Sequence, residues 1–182
     1  IPNFANLGFS PYARRDELID DGDEILFHWL EHEVDAAHPF ILYYHYRDLH
    51  LPYAPGEPYE SMFMPDAFAA PFSWLSFFKR FIAREKVAVV KDNVMISRGD
   101  MDFAPRDRPW VEALYDAEIR RLDTEFFARL RKTLVATGLD KNTIVVVSAD
   151  HGEELLDRDL VGHISTFKEA RLYDEIIRIP LV

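Results

Sequence analysis

The chain contains no cysteine. That excludes disulfides and thiolate metal sites, but a chain of 182 residues is long enough to build a core without either, so the absence says little about compartment. No apolar run reaches the ~20 residues that a membrane span requires, and no apolar leader of signal type opens the sequence. Basic residues are in the minority. Lys and Arg total 21 against 32 Asp and Glu, a formal charge of −11, which is the opposite of the basic face that nucleic-acid binding demands. An acidic protein that handles an anion needs local cations, meaning a metal ion, Lys or Arg. A nucleophile elbow of the Gly-x-Ser-x-Gly type is missing, as is a Walker loop, and there is no internal repeat or low-complexity tract. What is present is the composition of a folded globular protein, 48% hydrophobic and 14% aromatic, in a length suited to one domain.

The stretch Thr143-Ile-Val-Val-Val-Ser-Ala-Asp-His-Gly-Glu153 carries the most information. Its β-branched apolar run reads as a strand buried on both faces of a parallel sheet. Asp150 and His151 then fall at the carboxyl end of that strand, where open α/β sheets bind their ligands. Gly152 lets the chain bend there through a positive φ. The pattern predicts half of a metal site. The alternative is an Asp that caps the following turn beside a surface His.

Elsewhere, periodicity predicts a helix from Arg15 to His32 and a buried strand over Phe40–Tyr46 after Pro39. Residues 48–72 form a long Pro- and aromatic-containing loop, of a length that is often functional. A helix is expected around Trp74–Arg84, while Val87–Ser97 fits strand or helix. Ile119, Leu122, Phe126, Leu130 and Leu134 mark a long amphipathic helix from Trp110 to Thr137, with Pro109 near its start and Gly138 just past its end. A helix or ordered turn over Lys168–Asp174 and a strand at Ile179–Val182 complete an alternation that implies an α/β sandwich. The chain starts at Ile1 without Met and stops in an apolar run at Val182, which reads as a piece of a longer protein; an intact small domain with trimmed ends is the alternative.

His50, in Asp48-Leu-His-Leu-Pro-Tyr53, also lies just past an expected strand, where an imidazole can donate to an anion or protonate a leaving group. It can equally be a loop His packed on Pro52 and Tyr53. His45 lies within the expected strand and is assigned to the core. Gly162 before His163 permits close backbone approach to a ligand, and Lys168 is a natural partner for a tetrahedral oxyanion. His28, His32 and His38 are expected on the surface, and Arg14-Arg15 and Arg120-Arg121 are expected to be solvated.

Taken together, these pieces resemble the sulfatase family of the alkaline-phosphatase-like superfamily. The segments that carry the resemblance occur in order. They are Arg15-Asp-Glu-Leu…Trp29-Leu30; Pro39-Phe-Ile-Leu-Tyr-Tyr-His…Asp48-Leu-His-Leu-Pro-Tyr53; Tyr115-Asp-Ala-Glu-Ile…Asp123 with Asn142-Thr-Ile-Val…Asp150-His-Gly-Glu153; and Gly162-His…Lys168…Leu172-Tyr-Asp-Glu-Ile-Ile-Arg-Ile-Pro-Leu-Val182. The resemblance implies an α/β three-layer sandwich with a mostly parallel sheet, present in part, and a loop-rich insertion over about residues 53–110 that holds the specificity. Asp150 and His151 would then be ligands of a divalent cation, Ca²⁺ first and Mn²⁺ second. His50 would contact the sulfate and the leaving oxygen, Lys168 would hold a sulfate oxygen, and His163 would lie at or near the substrate.

Members of the family carry an upstream Cys-or-Ser-x-Pro-x-Arg motif, whose first residue becomes formylglycine, and an upstream acidic pair. Ser10-Pro-Tyr-Ala-Arg14 does not fit, because its Pro is one place early, and Asp20-Asp21 falls in an expected helix. The resemblance therefore implies an internal fragment of one catalytic domain, with formylglycine in a preceding segment. It implies a metal-dependent sulfuric ester hydrolase acting on a small sulfated substrate in the full-length parent, and little or no activity in the 182 residues alone. Relatives are often exported, which favours an extracytoplasmic location. The alternatives are a phosphoryl or phosphonate ester hydrolase or transferase of the same superfamily, and a non-catalytic module.

Overall fold

A computed structural model describes residues 22–46, 49–50, 53, 55–64, 105–158, 161–163 and 172–182. In chain order the elements are α1 (Gly22–His32), α2 (Tyr59–Met62), α3 (Arg108–Arg121), a π-helical segment Leu122–Phe127, α4 (Ala128–Thr137), β1 (Glu154–Leu155), β2 (Val161–Gly162) and α5 (Asp174–Ile177). The chain divides into two compact units. One comprises Ile1–Tyr43 with Thr124–Ile144, the other Tyr44–Asp123 with Val145–Val182. Among the described residues, no helix is long and apolar enough to cross a membrane.

In the first unit, α1 begins with Asp23 and Glu24 and ends with His32, charges that complement the helix dipole at each end. Leu26, Phe27 and Leu30 form its buried stripe at helical spacing. Phe27 packs on Phe126 with ring centroids 5.8 Å apart, and the Arg129 guanidinium lies over the Phe27 ring at 4.0 Å while pairing with Glu24 through both carboxylate oxygens. Thr133 donates to Glu31 at 3.1 Å. α4 stops at Gly138, whose φ of 74° is the left-handed cap that glycine adopts without steric cost. Pro109, near the start of α3, and Gly138, at the end of α4, are the boundary signals the sequence offered. The expected single helix is instead interrupted by the π segment. Ile119, assigned to the apolar stripe, is 43% exposed.

In the second unit, α3 buries Trp110, Val111, Ala113, Leu114, Ala117 and Glu118. Trp110, Val111 and Leu114 join Tyr53, Leu156 and Val161 in one core cluster. Glu118 is buried and is paired with Arg121 at 3.1 Å, so that arginine serves a buried partner and is not simply solvated as expected. Arg108 donates to Glu112 and to Asp157, each at 2.7 Å. The second bond ties the start of α3 to the β1–β2 hairpin. That hairpin is antiparallel, with Glu154 opposite Gly162 and Leu155 opposite Val161.

The strand expectations need correction. Val147 and Val182 exchange backbone hydrogen bonds at 2.9 and 3.0 Å, and Ser148 forms an antiparallel bridge with Leu181, so the two segments expected as strands pair at that point, antiparallel. Burial on both faces does not follow. Ile144 is 91% exposed and Ile41 is 80% exposed. A strand is buried on both faces only when neighbours and helices cover it, and among the described residues the only ladder is β1–β2. A short helix occupies Asp174–Ile177; most of the helix or ordered turn expected over Lys168–Asp174 falls in residues 164–171, outside the described residues. Arg15–Asp21 of the first expected helix and the segments 74–84 and 87–97 also lie outside them. His28, His32 and His38 are on the surface, with side chains 62%, 61% and 78% exposed.

Candidate functional site

The site is assembled within the second unit. Because β1 and β2 pair with Glu154 opposite Gly162, the residues that flank the ladder, Glu153 and His163, also face each other. His163 Nδ1 is 2.6 Å from Glu153 Oε1. Gly162, next to His163, has a φ of +87°, a conformation open to glycine. The other Glu153 oxygen accepts a 2.7 Å hydrogen bond from the Tyr53 hydroxyl. Tyr53 is wholly buried in the core cluster and packs edge-on against Tyr115. Only 6% of the Glu153 side chain is exposed, and 18% of that of His163. An acceptor-only carboxylate requires a proton on His163 Nδ1. The bond to Glu153 raises the His163 pKa above the ordinary imidazole value, against partial burial, which lowers it. Burial first, then the Glu153 charge, pushes the Tyr53 phenol well above the usual tyrosine value.

Two more imidazoles surround His163. The His151 ring lies 3.9 Å away between centroids, and the His50 ring meets it edge-on at 4.8 Å. His151 Nδ1 is 2.9 Å from the Gly152 carbonyl oxygen. Donation to that carbonyl leaves Nε2 as the electron-pair donor, the arrangement usual in metal-ligating histidines. His151 Nε2 stands 3.8 Å from Asp150 Oδ1, and the Asp150 side chain is 60% exposed. His45, expected in the core, is instead half-exposed, with Nε2 4.0 Å from Asp150 Oδ2. It thus reaches the same acidic group as His151.

Gly152 serves differently from the expectation. Its φ is not positive; the positive-φ glycines among the described residues are Gly56, Gly138 and Gly162. What demands glycine is close approach. A Cβ at this position would lie 1.9 Å from the Glu175 carbonyl oxygen, and the Gly152 N–H donates to the Ile176 carbonyl at 2.7 Å.

The structure thus brings His50, His151 and His163 together, with Asp150 beside His151. Lys168 lies outside the described residues. His151, Glu153 and His163 each offer a ligand atom within 4.8 Å of one another, a spacing one metal ion can bridge. Both Glu153 oxygens are already engaged by Tyr53 and His163, however, so its chemistry is that of an outer-shell acceptor. Sequence reasoning gave Glu153 and Tyr53 no role. Each stands beside a residue that was singled out, but nothing in the sequence joins positions 100 apart.

Comparison with known proteins decides the family. The Sulfatase family profile matches residues 6–182. The chain belongs to the sulfatase family. Its fold class is accordingly the α/β, alkaline-phosphatase-like one. Among curated proteins this sulfatase-family chain is similar to an "Ulvan-active sulfatase" of Formosa agariphila, 36% identical over 80 residues. That match covers 44% of the chain and 14% of the relative's length. No solved structure matches.

Proposed function

We propose that this chain is part of a metal-dependent sulfuric ester hydrolase that cleaves a small sulfated substrate. The observation that supports this most is the convergence of His50, His151 and His163 beside Asp150 in a chain of the sulfatase family. A carboxylate next to an imidazole whose Nδ1 is satisfied by a carbonyl is a donor pair that fits a divalent cation. Asp150 and His151 are its proposed ligands. Ca²⁺ is first by family, and Mn²⁺ second because an imidazole donor leans towards a transition ion. When bound, such a cation supplies Lewis-acid polarisation of a sulfate oxygen.

The remaining roles fall to the chain's own groups. His163, whose Nδ1–H is held by Glu153, donates Nε2–H to the anion in its protonated form, which the Glu153 bond favours. His50 faces the same ring and is assigned to a sulfate oxygen and to protonation of the departing alcohol. Lys168 is proposed to hold a further sulfate oxygen. Formylglycine, as nucleophile, is proposed for another part of the parent protein.

The test uses the full-length protein that contains this chain, assayed on a panel of sulfate esters alongside phosphate monoesters and diesters. Turnover of sulfate esters, with His163→Ala lowering kcat by about 10²–10³-fold as for loss of one anion-stabilising donor, supports the reading. Preference for the phosphate panel assigns the site to phosphoryl chemistry instead. Mn²⁺ binding, followed by electron paramagnetic resonance, is expected to be lost in Asp150→Ala and His151→Ala. A protein that turns over neither panel and binds neither Ca²⁺ nor Mn²⁺ is a non-catalytic module.

A further inference from the structure

Glu153 is a buried carboxylate in a protein with a large acidic excess, and the reading above leaves it without a task. A buried carboxylate is costly unless both oxygens are hydrogen-bonded, and here both are. Oε2 accepts from Tyr53 at 2.7 Å and Oε1 faces His163 Nδ1 at 2.6 Å. Tyr53 is fixed by the core cluster it shares with Trp110, Leu114 and Leu156, so the carboxylate is anchored at one end to a rigid group. The hairpin register fixes its backbone at the other. These constraints define one orientation for the His163 ring. Nδ1 is committed to Glu153, and Nε2 is the nitrogen left on the side of the ring away from that carboxylate. His151 and His50 pack against the same ring.

We propose that Glu153 is a positioning residue: braced by the Tyr53 hydroxyl, it holds the His163 imidazole with Nδ1–H on its own carboxylate, so that Nε2 faces away from it and, when the ring is protonated, donates Nε2–H to the anion that the site binds. The anion part of this assignment rests on the sulfatase reading above; the holding of the ring does not. Glu153 touches no substrate in this scheme and acts through His163. Its effect is to exclude the other neutral tautomer and to remove rotation of the ring about its side-chain bonds. Both raise the fraction of molecules in which Nε2, once it carries a proton, is placed to donate to a tetrahedral oxyanion.

The experiment reads the ring nitrogens of His163 in the 182-residue chain by two-bond ¹H–¹⁵N correlation, above the pH at which the ring titrates. The wild type is expected to show a protonated, pyrrole-type Nδ1 and a pyridine-type Nε2. Glu153→Ala is expected to shift the population towards the Nε2–H tautomer. Glu153→Gln, whose side-chain carbonyl still accepts from Nδ1–H, is expected to retain the wild-type pattern. A pyridine-type Nδ1 in the wild type overturns the proposal whether or not any variant folds, and so does an unchanged ring spectrum in a folded Glu153→Ala. Inorganic sulfate, added below the pH at which the ring titrates so that Nε2 carries a proton, then checks the site reading separately, because it should perturb Nε2 of His163 in the wild type. If the tautomer is as expected but sulfate has no effect, the anion reading fails while the holding of His163 by Glu153 stands.

Discussion

Removal of one oxygen atom, in Tyr53→Phe, tests the link between the core and the site. The ring keeps its place in the cluster and its edge-on contact with Tyr115, 5.2 Å between centroids, so packing is conserved and the change reports the hydroxyl. That hydroxyl donates to a carboxylate at 2.7 Å, with the tyrosine fully buried and the glutamate nearly so. Hydrogen bonds to charged groups contribute about 1.5–3 kcal/mol, and burial of both partners favours the upper half of that range. The folding equilibrium should therefore fall by roughly 10- to 150-fold, which for a urea m-value of about 2 kcal/mol/M is a midpoint shift of about 0.75–1.5 M. Alkaline pH supplies an internal check. The phenol's pKa is raised in the folded state, so its unfolded form loses its proton first, near pH 10. Above that value unfolding releases a proton, and wild-type stability falls by up to about 1.4 kcal/mol per pH unit until the folded phenol also titrates. The phenylalanine variant lacks this term, so the gap between the two proteins should narrow above about pH 10. A variant within about 0.5 kcal/mol of wild type at neutral pH, or a gap that widens with alkali, would refute the bond and its buried setting.

Other outcomes follow from the same geometry. Leu114→Ala, at a position 1% exposed in the core cluster, should cost about 2–5 kcal/mol in chemical denaturation; a loss below 1 kcal/mol would show that the cluster is not packed as described. Gly152→Ala places a methyl group 1.9 Å from the Glu175 carbonyl oxygen, so the chain around α5 must move. Amide exchange of residue 152, whose N–H donates to Ile176, should quicken strongly, and wild-type protection in this variant would contradict the contact. Gly138→Ala forces a left-handed φ of 74° on a residue with a Cβ, in open space, and should lower stability by about 1 kcal/mol, with Gly138→Asn costing less; equal stability of all three would argue against the cap.

Local signals were legible and non-local ones were not. Pro109 and Gly138 bounded the helical region because a cap is decided by residues within one turn of it. The π segment Leu122–Phe127 was not visible, since an i→i+5 turn leaves the apolar spacing almost unchanged. Of the runs at 41–46 and 143–149, read as strands from their β-branched and aromatic residues, the second forms an antiparallel bridge through Ser148 and the first joins no ladder among the described residues. Their burial could not be read from them, because exposure is a property of neighbours, and Ile41 and Ile144 are open to solvent. At the site, His50, His151 and His163 were singled out one at a time by their positions after expected strands or glycines. Their convergence was suggested only by resemblance to a family. Glu153 and Tyr53 escaped because their relation depends on a two-residue ladder too short to leave an alternating pattern.

That ladder explains why the site and the core rise or fall together. Leu156 and Val161, on and beside the hairpin, lie in the same cluster as Tyr53 and Leu114, while Glu153 and His163 flank the paired residues. Packing of the hairpin into the cluster favours this register, and the register sets the separation of carboxylate and imidazole. A slip of one residue would reverse the alternation of side chains along the slipped strand and take large apolar side chains such as Leu156 and Val161 out of the cluster they share with Trp110 and Leu114. The hydrophobic cost of that slip, about 1.5–3 kcal/mol for each large apolar side chain exposed, is of the same order as the charge-assisted bond from Tyr53. Both penalties favour the same register. The geometry around His163 is therefore held by apolar burial and by a buried ionic contact at once, and weakening either should loosen the other.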